Sequence, residues 1–439
     1  MNRRKFIAQS SQWSLAAGWT AFSPAMTSLL PRKSANEKIL VGLIGANSMG
    51  WGILSHALRQ PNIECIGICD VDQNVLNRRT EEVAKQYGKK PQAFSNFRKL
   101  LELKELDAVI IGTPDHWHCL IMVEACRAGK DVYVEKPMAN SIAECTVMVK
   151  AARKYKRIVQ VGQQQRSGTH WQQAMDFIHS GHIGALRKVH SWANFNYGTG
   201  QPKAPDEPVP AGVDFDTWLG PAPSRSFNKT RFHGSWRMFW DYGGGLMTDW
   251  GAHLIDIALW AKNITSPTGS VMASGGNFYS PDFAHETFDT QSVFYQFDDY
   301  TLSWEHTAGI QSGPYNRPYG LAFLGNDATL VIDRGGWEIF PESEGGKFRT
   351  PAIPKRSGKE SHEEHVRNWL ECIRERKEPN CTVENGRLVA MHCHFGNIAL
   401  RTHSRLEWNE KSHSFGQNQE ANKLIKPEYR KPWVFPEEV

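Results

Sequence analysis

The stretch Ile39-Leu-Val-Gly-Leu-Ile-Gly-Ala-Asn-Ser-Met-Gly50 changes character halfway along. Ile39 to Ile44 is a short apolar run with no polar alternation, the pattern of a strand buried on both faces. An amphipathic helical pattern runs from Gly50 to about Gln60. Between them lies Gly45-Ala46-Asn47-Ser48-Met49-Gly50, a strand-to-helix turn. In such a turn the helix start offers free N–H groups and a positive dipole end to a pyrophosphate. The phosphate-cradling spacing is G-x-G-x-x-G. Here Asn47 stands where the middle glycine would be. Asn tolerates left-handed backbone better than most residues, so the turn is expected to survive the change. A plain strand–helix turn is the alternative reading of this stretch alone.

Reading outward, Ile63 to Cys69 is a second apolar run that closes on Asp70, 20 residues after Gly50. That is the spacing of the acid that holds the adenosine ribose hydroxyls. A carboxylate there repels a 2′-phosphate, and no Arg follows directly, so the expected cofactor is NAD rather than NADP. The competing reading of Asp70 is a strand-end residue capping the next helix. Further apolar runs occur at Leu106 to Gly112, Val132 to Val134 and Ile158 to Gly162, separated by helical stretches. This rhythm predicts a parallel sheet covered on both faces. After Gly162 the rhythm changes. Strand-like runs at 186–196, 270–274, 290–297, 300–307, 319–324 and 329–333 follow one another closely, with helices predicted at 362–376 and 385–401. The expected fold class is α/β. It comprises an N-terminal Rossmann dinucleotide-binding domain (36–162), a C-terminal α+β domain with a large, mainly antiparallel open sheet (163–400), and an extended tail (401–439).

The chain of 439 residues is long enough for two domains, and its 40% hydrophobic and 22% charged residues describe a folded protein. Its start carries Arg3, Arg4 and Lys5, then a weakly apolar run to Phe22, then Ser23-Pro24-Ala25. Those three parts in order resemble a twin-arginine export signal cut near Ala25 (1–25), which predicts an exported, periplasmic protein. Removing the segment lowers the formal charge from +5 to +2, because it holds three cations and no acid. No dense basic patch points to nucleic acid, and no run is apolar enough to span a bilayer. Eight Cys sit within apolar patterns without zinc-site spacing, so they read as buried thiols and no metal is expected.

Three motifs carry the chemistry. Thr113-Pro114-Asp115-His116-Trp117-His118 follows an apolar run, where loops line the ligand crevice of a parallel sheet. His118 could touch a ligand or cap a helix. Glu135-Lys136-Pro137 ends the strand at Val132 to Val134. Asp249 and His253 are i and i+4, which places them on one face of a helix, after Gly243-Gly244-Gly245. Two other clusters read as structural. His362-Glu363-Glu364-His365 lacks the i, i+4 zinc pattern and reads as a solvated helix start, and His392-Cys393-His394 reads as core. Trp236, Arg237, Trp240 and Tyr242, with Arg166, could form a sugar-stacking wall or could simply pack.

Together GANSMG, Asp70, TPDHWH, VYVEKP and GGGLMTDWGAH resemble the Gfo/Idh/MocA oxidoreductases, NAD(P)-dependent sugar and inositol dehydrogenases. The motifs span Ile39 to about Trp260, and Asn47 is the departure. The resemblance implies cofactor contacts from Gly45, Asn47, Ser48, Met49, Gly50, Asp70, Thr113, Pro114, His118, Glu135 and Lys136. It also implies that Pro137 holds the turn, in cis, with Glu135 keeping Lys136 oriented. Lys136, His253 and Asp249 would be catalytic, and Lys136, Arg166, Trp240, Asp249 and His253 would meet the substrate. The activity implied is oxidation of a ring hydroxyl of a sugar, glycoside or polyol by tightly bound NAD. Redox-neutral glycoside cleavage and a non-catalytic sugar or nucleotide sensor are the competing readings. Family members often pair through the open sheet, which implies a homodimer or homotetramer.

Overall fold

The computed structural model describes residues 37–439, and the expected export signal lies outside them. Six parallel strands form the first sheet: β1 (Ile39–Ile44), β2 (Ile63–Cys69), β3 (Gln92–Phe94), β4 (Ala108–Ile111), β5 (Asp131–Val134) and β6 (Val159–Val161). Their order is β3-β2-β1-β4-β5-β6, so the chain reverses direction across the sheet between β1 and β4. A crevice opens beyond the carboxyl ends of strands at such a switch point. Helices α1 (Ser48–Leu58), α2 (Gln73–Tyr87), α3 (His118–Arg127) and α4 (Ile142–Lys154) connect the strands, and α5 (Thr169–His179) follows β6.

The apolar runs lack alternation because both faces of this sheet are covered. Ile39, Val41, Leu43, Ala108, Ile110 and Tyr133 share one core with α1 and with Val366 and Trp369 from the far end of the chain. Val109, Ile111, Val132 and Val134 point into the other core, with α3 and α4. Edge strand β3 has no counterpart in the sequence reading. It is three residues long and mostly exposed, so it shows no apolar run.

The second sheet has nine strands: β7 (Lys188–Ala193), β8 (Ser270–Gly276), β9 (Thr290–Gln296), β10 (Thr301–Thr307), β11 (Tyr319–Leu324), β12 (Ala328–Asp333), β13 (Gly336–Pro341), β14 (Ile353–Ser357) and β15 (Leu406–Glu407). They are ordered β14-β13-β12-β11-β7-β10-β9-β8-β15, and only the β7–β10 pair is parallel. Helices α6 (Gly245–Asp249), α7 (Gly251–Ala261), α8 (His362–Glu375) and α9 (Val383–Arg401) complete the described core. A capping box between Thr382 and Asn385 starts α9. The Tyr295 hydroxyl donates to His392 O of α9 at 2.6 Å, while Phe294 and its cross-strand partner Met272 stay exposed. One face of this sheet is therefore packed and the other open, which explains the alternation along β9. All eight cysteines are buried and unpaired. No helix among the described residues is long and apolar enough to cross a membrane.

Candidate active site

A cavity of about 460 Å³ opens at the β1–β4 switch point. Its first half is the glycine turn. Gly45 has φ +83°, and a Cβ there would lie 2.7 Å from the Gly112 carbonyl carbon. A Cβ on Gly50 would lie 2.1 Å from Gly45 O, so Gly50 is needed for close helix–strand approach rather than for ligand contact. Asn47 is extended (φ −93°, ψ 163°) and does not use the left-handed tolerance expected of it. The positive-φ positions are Gly45 and Ser48. Asn47 makes no side-chain cap, so the first amides of α1 have no side-chain acceptor at the helix start. Asp70 closes this half. Its carboxylate accepts from Ala46 N (2.7 Å) and Asp72 N (2.9 Å), and burial raises its pKa against those bonds. A turn that a side chain would fill, uncapped helix amides and a strand-end carboxylate together fit a dinucleotide.

The second half is a charged cluster. The Lys136–Pro137 bond is cis. Lys136 Nζ donates to Asp249 Oδ1 at 2.5 Å and to Asp249 O at 2.8 Å. An ammonium has three donors, so one is left for the cavity. Asp249 also accepts from the Tyr197 hydroxyl (3.0 Å) and lies 3.3 Å from Arg237 Nε. Burial alone would raise the Asp249 pKa, but the charges of Lys136 and Arg237 override it and hold the carboxyl well below its ordinary range. Tryptophan 250 separates α6 from α7, yet Asp249 and His253 both line the cavity. Burial, and then the charges of Lys136, Arg334 and His362, push the His253 pKa well down, so its imidazole is neutral. Glu135 does not pair with the Lys136 ammonium. Its carboxylate accepts from Lys136 N (3.2 Å) and packs on Gly162, where a Cβ would lie 2.6 Å from Oε1. Asp249, not Glu135, orients Lys136.

Gly45, Asn47, Ser48, Met49, Asp70, Thr113, Pro114, Glu135, Lys136, Asp249 and His253 all line this cavity. Besides Gly50, three other expected residues lie outside this lining. His118 is sealed between Thr113 O and Pro137 O, 2.9 Å from each, with burial lowering its pKa to about 4. Its backbone N–H caps the short turn of helix at Asp115–Trp117, but its side chain does not line the cavity; the ring ties the two loops together. Arg166 is committed to buried Asp256, with Nε 2.8 Å from Oδ1. Trp240 is wedged between Arg401 (4.7 Å) and Phe288 (5.5 Å). HEEH does start a helix as expected, but it is not simply solvated, since His362 lines the cavity and His365 is fully buried. The HCH cluster is core.

Tyr197 and Arg334 went unnoticed in the sequence because each enters from a separate loop, and His362 reads there only as part of a helix start. Asp115 lines the cavity too, and burial raises its carboxyl pKa well up against the charges of Arg237 and Lys136. Over the top lies the segment 211–238. Gln73 N donates to Gly212 O and Asp214 N to Val71 O, and His233 Nε2 lies 3.1 Å from Asp72 Oδ2. Trp117 Nε1 donates to Trp218 O on the opposite wall. The segment thus bridges both walls of the crevice.

Residues 39–163 match the NAD-binding Rossmann fold of the oxidoreductase family, and residues 168–275 and 351–435 match its C-terminal alpha/beta domain. The chain belongs to the Gfo/Idh/MocA oxidoreductase family. Among curated relatives, a glycosyl hydrolase family 109 protein of Shewanella baltica is 27% identical over 203 residues, and an alpha-N-acetylgalactosaminidase of Shewanella oneidensis is 25% identical over 203 residues. Each match covers 42% of this chain and 44% of the relative. The fold is shared with the aldose-aldose oxidoreductase of Caulobacter crescentus complexed with glycerol (TM-score 0.65, 19% identity, covering 84% of this chain and 100% of that one). It is also shared with levoglucosan dehydrogenase in complex with NADH and levoglucosan (TM-score 0.64, 17% identity, covering 84% and 99%). This member of the family therefore joins a nicotinamide-binding sheet to a cavity wall of Lys136, Asp249 and His253.

Proposed function

We propose that the protein oxidises a ring hydroxyl of a sugar, glycoside or related polyol with NAD. The observation that carries this is Lys136, fixed by two bonds to Asp249, with its third donor and the neutral His253 imidazole facing one cavity. Gly45, the amides of α1 and Asp70 would hold the dinucleotide, and Asp70 favours NAD over NADP by repelling a 2′-phosphate. Bound nicotinamide supplies the acceptor for the hydride that leaves the carbinol carbon. The third N–H of Lys136 donates to the substrate hydroxyl oxygen and favours the alkoxide that forms there. His253 takes the hydroxyl proton, a role that its depressed pKa leaves it free to perform. Asp249 keeps the ammonium charged and aimed. The segment 211–238, tied to both crevice walls, supports tight retention of the cofactor.

The names of the family 109 relatives favour a second reading, redox-neutral glycoside cleavage by oxidation, elimination and reduction. The protein as isolated, mixed with glucosides, free sugars and inositols, decides between them. Lys136-dependent rise in nicotinamide absorbance supports the dehydrogenase. Aglycone release without net reduction supports cleavage. Silence in both, with nucleotide still bound, supports a sensor. We further propose export to the periplasm, tested by cell fractionation with and without Arg3 and Arg4, and pairing into a homodimer or homotetramer through the open sheet, tested by sedimentation.

A further inference from the structure

The chemistry assigned above uses Lys136, Asp249 and His253, with Tyr197 and Arg237 around the carboxylate. It leaves another part of the same wall unexplained. Arg334, from the tight turn between β12 and β13, His362, the first residue of α8, and Gln164, from the turn after β6, all line the cavity. They come from three distant parts of the sequence. The Arg334 guanidinium stacks on Trp250, with Cζ 4.7 Å from the ring centroid. The Gln164 amide oxygen, turned towards the pair, accepts from Arg334 Nη2 at 3.0 Å and from His362 Nε2 at 3.3 Å.

The charge here is balanced from outside the cavity. Glu360, half exposed and not part of the lining, lies 3.9 Å from Arg334 Nη1 and 3.0 Å from His362 Nδ1. Buried Arg334 Nε has no acceptor at all. Arg237, by contrast, has Asp249 3.3 Å from its Nε. The cavity thus holds a stacked, half-buried guanidinium with spare donors beside an imidazole and an amide, close enough to His253 for its charge to be felt there. Neutral ring hydroxyls are served by mixed donors and acceptors. A rigid donor fork whose acid lies outside the cavity keeps donors for a planar anion within it.

We propose that Arg334, held by its stacking on Trp250 and by the Gln164 amide oxygen, forms a subsite for a carboxylate on the substrate, so that the sugar oxidised is a uronic acid or a uronoside. This rests on the reading of the cavity as a carbohydrate site.

The test measures equilibrium binding of D-glucuronate and D-galacturonate against D-glucose and D-galactose to the NADH-loaded protein, by calorimetry, with cofactor reduction followed separately. The expected result is that at least one uronate binds tenfold or more tightly than its neutral counterpart. Arg334→Gln should bring that ratio within about twofold, and Arg334→Lys, which keeps charge but loses the fork, should restore part of it. Equal or tighter binding of the neutral sugars, absence of binding by all four, or a preference that survives in Arg334→Gln would overturn the subsite. If Arg334→Gln does not fold, Arg334→Met takes its place in the same comparison. Arg334-dependent uronate binding without cofactor reduction would leave the subsite standing and remove the dehydrogenase reading. Reduction by neutral sugars alone would do the reverse.

Discussion

Two buried cations meet two aspartates seven positions apart: Lys136 meets Asp249, and Arg166 meets Asp256. The pairs look alike as charges but differ in what surrounds them. Arg166 presents its fork to both oxygens of a carboxylate that is fully buried, with Nη2 2.7 Å from Oδ1, and its charge lies over the Trp260 ring at 5.2 Å. Neither residue lines the cavity. Lys136 faces a cavity, uses two of its three donors on Asp249, and shares that carboxylate with Tyr197 and Arg237. A buried ion pair is thus structural or reactive according to whether a space is open beside it to receive a ligand.

The comparison can be broken by removing each cation in turn. Lys136→Ala is expected to lower kcat/KM by about 1,000-fold, the upper range for a donor aimed at developing negative charge, while the denaturation midpoint moves little. Arg166→Met should do the opposite. It strands Asp256 in the core and costs about 3–5 kcal/mol in urea unfolding, with turnover per folded molecule nearly unchanged. If Arg166→Met abolished turnover in a stable protein, the distinction would be wrong.

Asp249→Asn sharpens the contrast, because it keeps the shape of the hub and removes its charge. A fall in kcat of about 100-fold is expected. Asp70→Ala should narrow the preference for NAD over NADP by about tenfold in Kd, the size of one lost repulsion or charged hydrogen bond. The smallest effect is on pH. Because burial and neighbouring cations lower the folded pKa of His253, the imidazole stays neutral through the range in which a free histidine would protonate. The acid limb of kcat/KM should therefore lie below pH 6.5 and shift or vanish in His253→Asn. A limb centred at or above 6.5 would contradict the assignment.

Much of this was legible in the sequence where the information is local. The strands β1, β2, β4 and β5 show as apolar runs because both faces of their sheet are covered. Glu-Lys-Pro and the Asp249–His253 spacing show because single elements carry them. Edge strand β14 did not show, since Ile353–Ser357 is mostly exposed and polar. Nor did the role of His362, which is the start of a helix as expected but turns its ring into the cavity. Arg166 is expected at the substrate on the resemblance, but its side chain turns into the core to meet Asp256. Tyr197 and Arg334 leave no local pattern at all, and only the folded topology brings them to His253 and Asp249.

The central claim is that Lys136 serves hydride loss from a sugar carbon to the nicotinamide. The most direct test uses sugars and glycosides uniformly deuterated on their ring carbons, incubated with the NAD-loaded protein and followed by mass spectrometry of the cofactor. The account predicts one deuterium on the nicotinamide of the wild-type protein and none, in the same time, with Lys136→Ala. An unlabelled cofactor in wild-type protein that is consuming the sugar, or equal labelling in both proteins, would contradict it.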